Sequence, residues 1–139
     1  MNGVDTNVFV YALDDTETAK KAKAQELIGG LVQPPVQTVM LWQVAGELLS
    51  CLRKWESAGR ITPADVERHF RDALAVFPLK VPSVKVFEIA FGLHGRFSLS
   101  HWDSMLLAAC KEAGVSTLYS EDMATDTDYD DLIIVNPFV

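Results

Sequence analysis

Residues 112–139 contain no lysine and no arginine. The chain has only two cysteines, Cys51 and Cys110, far apart and in no CxxC pair. That argues against a disulfide framework and against a thiolate metal site. Both lie in apolar, helix-like stretches and are expected to be buried thiols in a reducing compartment. The three histidines, His69, His94 and His101, have no partner at i,i+4 and no neighbouring cysteine, so zinc is not the metal to expect. No apolar run approaches the ~20 residues that cross a bilayer. No basic segment followed by an apolar one marks a signal peptide. The expectation is a cytoplasmic protein with no membrane partner. Internal repeats and low-complexity linkers are missing as well.

What is present is an ordinary globular composition. The 139 residues are 49% hydrophobic and 22% charged, enough to bury a core and the length of one domain, 1–139. A disordered tail and a collagen-like chain are excluded. The charge is less ordinary. Net charge is −7, yet residues 1–111 balance 12 acids with 12 Lys or Arg, and residues 112–139 hold the other 7 acids. Either that end is a solvated acidic face or it gathers carboxylates for a cation. A negative chain is also an unpromising nucleic-acid binder, because phosphate contacts need Lys and Arg.

Strand-like and helix-like segments alternate along the sequence. Gly3-Val4-Asp5 is β-prone, and Asp5-Thr6-Asn7 offer N-cap side chains to a helix over Asn7–Leu13. A helix over Thr16–Ile28 is expected to stop at Gly29-Gly30, and Val36–Val39 reads as a short strand. Met40–Ala58 carries Leu41, Val44, Ala45, Leu48, Leu52 and Trp55 at helical spacing and ends at Gly59. Thr62-Pro63 opens a helix to about Val76, with proline at its first position. Phe77–Val81 is a short strand, and helices follow over Ser83–Phe97 and Ser100–Ala113, the latter closed by Gly114. Ser116–Tyr119 and Leu132–Val135 are the last strands. This alternation implies right-handed crossovers and a parallel sheet covered by helices on both faces. Ligand chemistry in such sheets sits just past the carboxyl ends of the strands.

Four acids fit that rule or break the surface pattern. Asp5 ends the first strand, where it could equally be an N-cap. Asp122 follows a late strand, in what could be an ordinary acidic turn. Glu47 stands among Val44, Ala45, Leu48, Leu49 and Cys51, where the pattern expects a semi-buried site, unless it lies on a polar edge with Gln43 and Lys54. A buried, unpaired carboxylate is costly or stays protonated, and a metal ion removes that cost. Asp103 is the third residue after Ser100, a spacing that also suits a capping box. Oxygen-only ligands favour hard cations such as Mg²⁺ or Mn²⁺, and a carboxylate site holding them suits phosphodiester cleavage. Clustered carboxylates repel, so at least one should titrate above the ~4 of a free acid.

The blocks VDTNVFVYALD, AGELLSCL, FSLSHWDSMLLAACKEAG and LYSEDM…IIVNPF carry a resemblance. Together, in this order and across nearly the whole chain, they resemble the PIN-domain family, most closely the VapC-type toxins of bacterial toxin–antitoxin pairs. The resemblance implies a three-layer α/β/α sandwich around a parallel sheet and metal-dependent endoribonuclease activity. It implies an acidic metal site made of Asp5, Glu47, Asp103 and Asp122. Asn7 and Ser120 match supporting polar positions, and Thr6 is a weaker candidate for the same role. Glu121 competes with Asp122, which is preferred because it stands two residues after Ser120. Asp126 is a further candidate at the periphery. The first strand departs from the family, with Asn2-Gly3 where apolar residues are usual, so either its edge is poorly paired or the true start lies slightly upstream.

The leading expectation is therefore a Mg²⁺- or Mn²⁺-dependent ribonuclease toxin that cleaves RNA and is restrained by a cognate antitoxin. The antitoxin would lay an amphipathic segment into an apolar groove and aim a basic side chain at the acids. A homodimer is implied by the resemblance. Trp42 and Trp55 could line the groove, although packing in the core is the plainer expectation. Lys20, Lys21, Lys23, Arg53 and Arg96 are candidates to meet substrate phosphates. The alternatives are a PIN nuclease for RNA processing or structured DNA, without an antitoxin, and a catalytically silent binding module. A receiver domain is rejected because Asn136-Pro137-Phe138, not a lysine, follow the last strand.

Overall fold

The computed structural model describes residues 1–125 and 127–139. Its centre is a five-stranded sheet in the order β3-β2-β1-β4-β5, with every ladder parallel. The strands are β1 (Asn2–Val4), β2 (Thr38–Leu41), β3 (Leu79–Lys80), β4 (Thr117–Tyr119) and β5 (Ile133–Val135). Between them run α1 (Thr6–Leu13), α2 (Thr18–Leu31), α3 (Trp42–Ser57), α4 (Pro63–Val76), α5 (Lys85–Phe97) and α6 (His101–Glu112). The result is the three-layer α/β/α sandwich, with α1 against α2 and α3, α3 against α4, and α5 against α6.

The core has a simple origin. Val4, Met40, Leu41, Leu118 and Ile134 of the strands are essentially inaccessible to water, as are Leu48, Leu52, Leu93 and Leu107 of the helices. All four residues of β2 are buried, so its sequence carries no in–out alternation. That explains why the strand expected at Val36–Val39 lies at Thr38–Leu41, and why Met40 and Leu41 belong to it rather than to α3.

Two further expectations are corrected. Gly29-Gly30 do not stop α2, which runs to Leu31. Leu31 is buried in the core, so tertiary packing outweighs the roughly 1 kcal/mol per glycine that disfavours a helix interior. Nor is the edge of β1 poorly paired: it is the central strand, with Asn2 and Gly3 paired to β2 on one side and β4 on the other. A Cβ on Gly3 would meet Val115 Cγ1 at 3.3 Å, Leu118 Cδ1 at 3.4 Å and Leu41 Cδ1 at 3.5 Å. Neighbouring side chains fill the space that an apolar residue would occupy.

Helix ends follow local chemistry. Thr62 and Asp65 form a reciprocal capping box with Pro63 at the first position of α4. Gly59 and Gly114, at φ +76° and +79°, turn the chain out of α3 and α6 in a conformation few other residues tolerate. Among the described residues no helix is long and apolar enough to cross a membrane.

The sheet order creates the site. From β1 the chain moves outward through β2 and β3, then returns to β4 on the other flank of β1. Connections leave the carboxyl ends of β1 and β4 in opposite directions, which opens a crevice at the switch point.

Candidate active site

Asp5 follows β1 directly and is buried. It is also the N-cap of α1, so strand end and cap coincide. Its Oδ1 accepts from Thr6 N at 2.7 Å, and its Oδ2 accepts from Ser120 Oγ at 2.7 Å. Ser120 lies just beyond β4, and its hydroxyl oxygen accepts from Asp122 N at 3.2 Å. Asp122 Oδ2 then accepts from Asn7 Nδ2 at 3.0 Å. Residues 5 and 7 are thereby bound to residues 120 and 122 across the crevice.

Asp103 comes from the first turn of α6. Ser100 Oγ accepts from Asp103 N at 3.2 Å, but only this half of the expected capping box forms, and the carboxylate does not turn back to the cap. Glu47 comes from the middle of α3. It is exposed in surface area, on the polar edge with Gln43 and Lys54 rather than in a semi-buried site, yet its carboxyl end is partly shielded from water. Gln43, one turn earlier, stands beside it and donates to Trp102 O at 3.3 Å, which ties α3 to α6.

Neighbouring acids act on the Asp5 and Glu47 carboxyls. Burial pushes the Asp5 carboxyl up, the bonds from Ser120 and Thr6 pull it down, and the charges of Asp122 and Asp103 push it up again. Burial likewise raises Glu47, opposed by Gln43 and Thr6, with Asp5 and Asp103 adding repulsion. The expected upward titration is present, but its main cause is loss of water rather than crowding of charge.

Among the described residues no three His, Cys, Asp or Glu side chains stand close enough to surround a single ion. The acids form an open cluster rather than a closed cage. Its chemistry nonetheless fits a hard cation, because the candidate donors are carboxylate oxygens. The Thr6 hydroxyl stands beside Glu47, where it favours the ionised carboxylate.

A PIN-domain family model matches residues 4–127. The chain belongs to the PIN-domain family. Three solved structures share the fold of this PIN domain. A toxin–antitoxin complex from Klebsiella pneumoniae matches with a TM-score of 0.70 at 18% identity, covering 99% of this chain and 98% of the other. VapBC2 from Rickettsia felis, bound to a promoter DNA fragment, matches with a TM-score of 0.70 at 14% identity over 96% of both chains. Mycobacterium tuberculosis VapC20, a toxin that cleaves the sarcin–ricin loop, matches with a TM-score of 0.62 at 19% identity over 88% and 90%. A comparison with curated protein sequences finds no significant match.

Other expected participants are placed differently. Glu121 turns away from the cluster, accepting from Tyr11 OH at 2.7 Å and pairing with Lys20 Nζ at 2.5 Å. Lys21 pairs with Asp15, Arg96 pairs with Asp130, and Lys23 donates to Phe138 O. Arg53 lines a separate groove between α3 and α4. These cations therefore have other partners or another address. Trp42 is more than half exposed, not packed in the core, and Trp55 is partly buried beneath the Arg60 guanidinium. Cys110 is buried as expected, but Cys51 is only half-buried. Asp126 lies outside the described residues.

Beside the acids runs a groove of about 440 Å³ lined by Thr6, Tyr11, Glu47, Ser50, Lys54 and Asp122. Lys54, which the sequence placed on a polar edge with Glu47, was not among the cations expected to meet phosphate. The signal was available, because Ser50 and Lys54 follow Glu47 by three and seven residues and so share its helical face.

Proposed function

We propose that this PIN domain is a metal-dependent endoribonuclease and the toxin of a toxin–antitoxin pair. One observation supports the reading: at the switch point of the sheet Asp5 is desolvated and held by Ser120, near enough to Asp122, Asp103 and Glu47 for their charges to act on one another's carboxyls. These four residues would hold Mg²⁺ or Mn²⁺. Such an ion supplies the Lewis acid that polarises a phosphodiester and acidifies the attacking water. Ser120 and Asn7 orient the Asp5 and Asp122 carboxylates, as outer-shell partners of metal ligands do. Lys54, on the rim of the groove, offers positive charge to the RNA backbone.

The similarity to toxin–antitoxin structures supports a cognate antitoxin as partner. An apolar cavity of about 330 Å³ between α1, α2 and α4, lined by Phe9, Leu13, Ile28, Ala73 and Val76, suits the apolar side of an amphipathic segment. Val84, Phe87, Phe91 and Trp102 are each more than half exposed on α6 and on or beside α5, an apolar patch that suits a homodimer. Action in the cytoplasm follows from an RNA substrate and an antitoxin partner.

The test is cleavage of a mixed RNA pool with Mn²⁺ or with EDTA. Wild-type protein should cut only with Mn²⁺, and Asp5→Asn or Asp103→Asn should abolish cutting while circular dichroism stays native. Full activity in either variant, with contaminating nuclease excluded, would overturn the site assignment.

A further inference from the structure

Three consecutive residues beyond β4 grip the N-terminal helices. Ser120 donates to Asp5, Asp122 accepts from Asn7, and Glu121 between them turns to Tyr11 and Lys20. Tyr11 is one helical turn after Asn7, so α1 presents all its contacts to this segment along one face. Lys20 reaches across from α2, donates to the Tyr11 oxygen at 3.3 Å and stands 4.7 Å from the centre of the Tyr11 ring. Phe138 closes the far side, meeting the Tyr11 ring edge-on at 5.0 Å.

We propose that Tyr11, Lys20 and Glu121 form a positioning latch that fixes the chain beyond β4 so that Asp122, and not its neighbour, faces the carboxylate cluster. The proposal rests on the reading of that cluster as a cation site. Its ground is geometric. Residues 121–123 are bends outside the sheet, so no ladder sets their direction. Asp122 is itself exposed, and its carboxylate meets one amide, that of Asn7. Glu121 and Asp122 differ by one position, and a rotation of the segment would exchange them. Glu121 is fixed by two donors from two helices, and that commitment directs Asp122 the other way. Lys20 also neutralises the adjacent Glu121, so the cluster does not gain a fifth competing charge.

A merely structural role predicts something different. An ion pair that remains partly open to solvent contributes little to stability, so its loss should leave the melt almost unchanged. The experiment uses the full chain with Tyr11→Phe, which keeps the ring against Phe138, and Lys20→Gln. Calorimetry with Mn²⁺ alone gives the metal affinity, and steady-state cleavage of RNA gives kcat and KM separately. The expected result is Mn²⁺ binding weakened about tenfold or more, kcat lowered in parallel, KM for RNA within about twofold, and a melting temperature near that of wild type. Glu121→Gln, which still accepts from Tyr11, should fall between wild type and these variants.

Mn²⁺ affinity and kcat within about twofold of wild type in both variants would overturn the latch alone. A loss matched by a large fall in melting temperature would overturn it too, in favour of simple stabilisation. Weakened Mn²⁺ binding in the variants, with no RNA cleavage by wild type, would support the latch and overturn the nuclease reading. No Mn²⁺ binding by wild type would overturn both.

Discussion

Asp5 has two duties that pull its protonation in opposite directions. As the N-cap of α1 it accepts from Thr6 N, which favours the anion, while burial disfavours it more strongly and raises the carboxyl above its ordinary 3.8. The folded protein therefore binds this proton more tightly than the unfolded chain. The contribution is fully present below about pH 3.8 and is lost as pH rises through the raised value. Asparagine caps a helix as well as aspartate does and cannot ionise. In EDTA at pH 7, Asp5→Asn should melt a few degrees above wild type, and the difference should vanish as pH falls to 4 and below. A variant that melts lower at pH 7 would mean that the Ser120 and Thr6 bonds outweigh desolvation. At this scale the sequence was legible where backbone rules apply: Asp5 and Asp122 follow strands, and Ser120 stands two before Asp122. It was not legible where side-chain direction decides. Glu121 and Asp122 are adjacent and alike in type, and side-chain partners separate them: Tyr11 and Lys20 hold Glu121, whereas Asn7 donates to Asp122.

Elements were legible when a local stop signal agreed with the packing. Thr62-Pro63, Ser100, Gly59 and Gly114 mark helix ends that the structure keeps. Gly29-Gly30 carried the same kind of signal but lost to the burial of Leu31. Strand β1 shows the converse, a weak strand sequence made central by what surrounds it. Gly3 has open backbone pairing on both sides but little room above its Cα. Alanine there needs neighbours to yield by a few tenths of an ångström, whereas valine drives extra methyl groups into Val115, Leu118 and Leu41. Gly3→Val should lower stability by about 1–3 kcal/mol, measured by urea unfolding. An unchanged midpoint would mean that the centre of the sheet is looser than these contacts imply.

For the molecule as a whole, much of the uneven charge is a solvated acidic face: Asp122, Asp128, Asp130 and Asp131 are exposed. Among the described C-terminal acids, only Asp122 joins the carboxylate cluster. Asp130 pairs with Arg96, Asp128 accepts from Asp131 N, and Lys111 donates to the Tyr129 and Asp130 carbonyls. Part of the acidic end is thus tied back onto α5 and α6, whose outer side carries the apolar patch. If that patch joins two copies, Phe91→Glu should convert a dimer to a monomer in analytical ultracentrifugation, because a charge buried without a partner is costly. Wild-type protein that sediments as a monomer at tens of micromolar would remove the dimer from the description. The pairing of residues 5 and 7 with residues 120 and 122 has a consequence during synthesis. A chain emerging in order from the ribosome carries Asp5 from the outset, but β1 lacks one of its two flanking strands until β4 has been made. An unfinished polypeptide therefore has its first acid without the serine that holds it, and the cluster cannot assemble on a truncated product. If the proposed ribonuclease reading holds, this topology keeps the nascent chain inactive until its own message has nearly been read through.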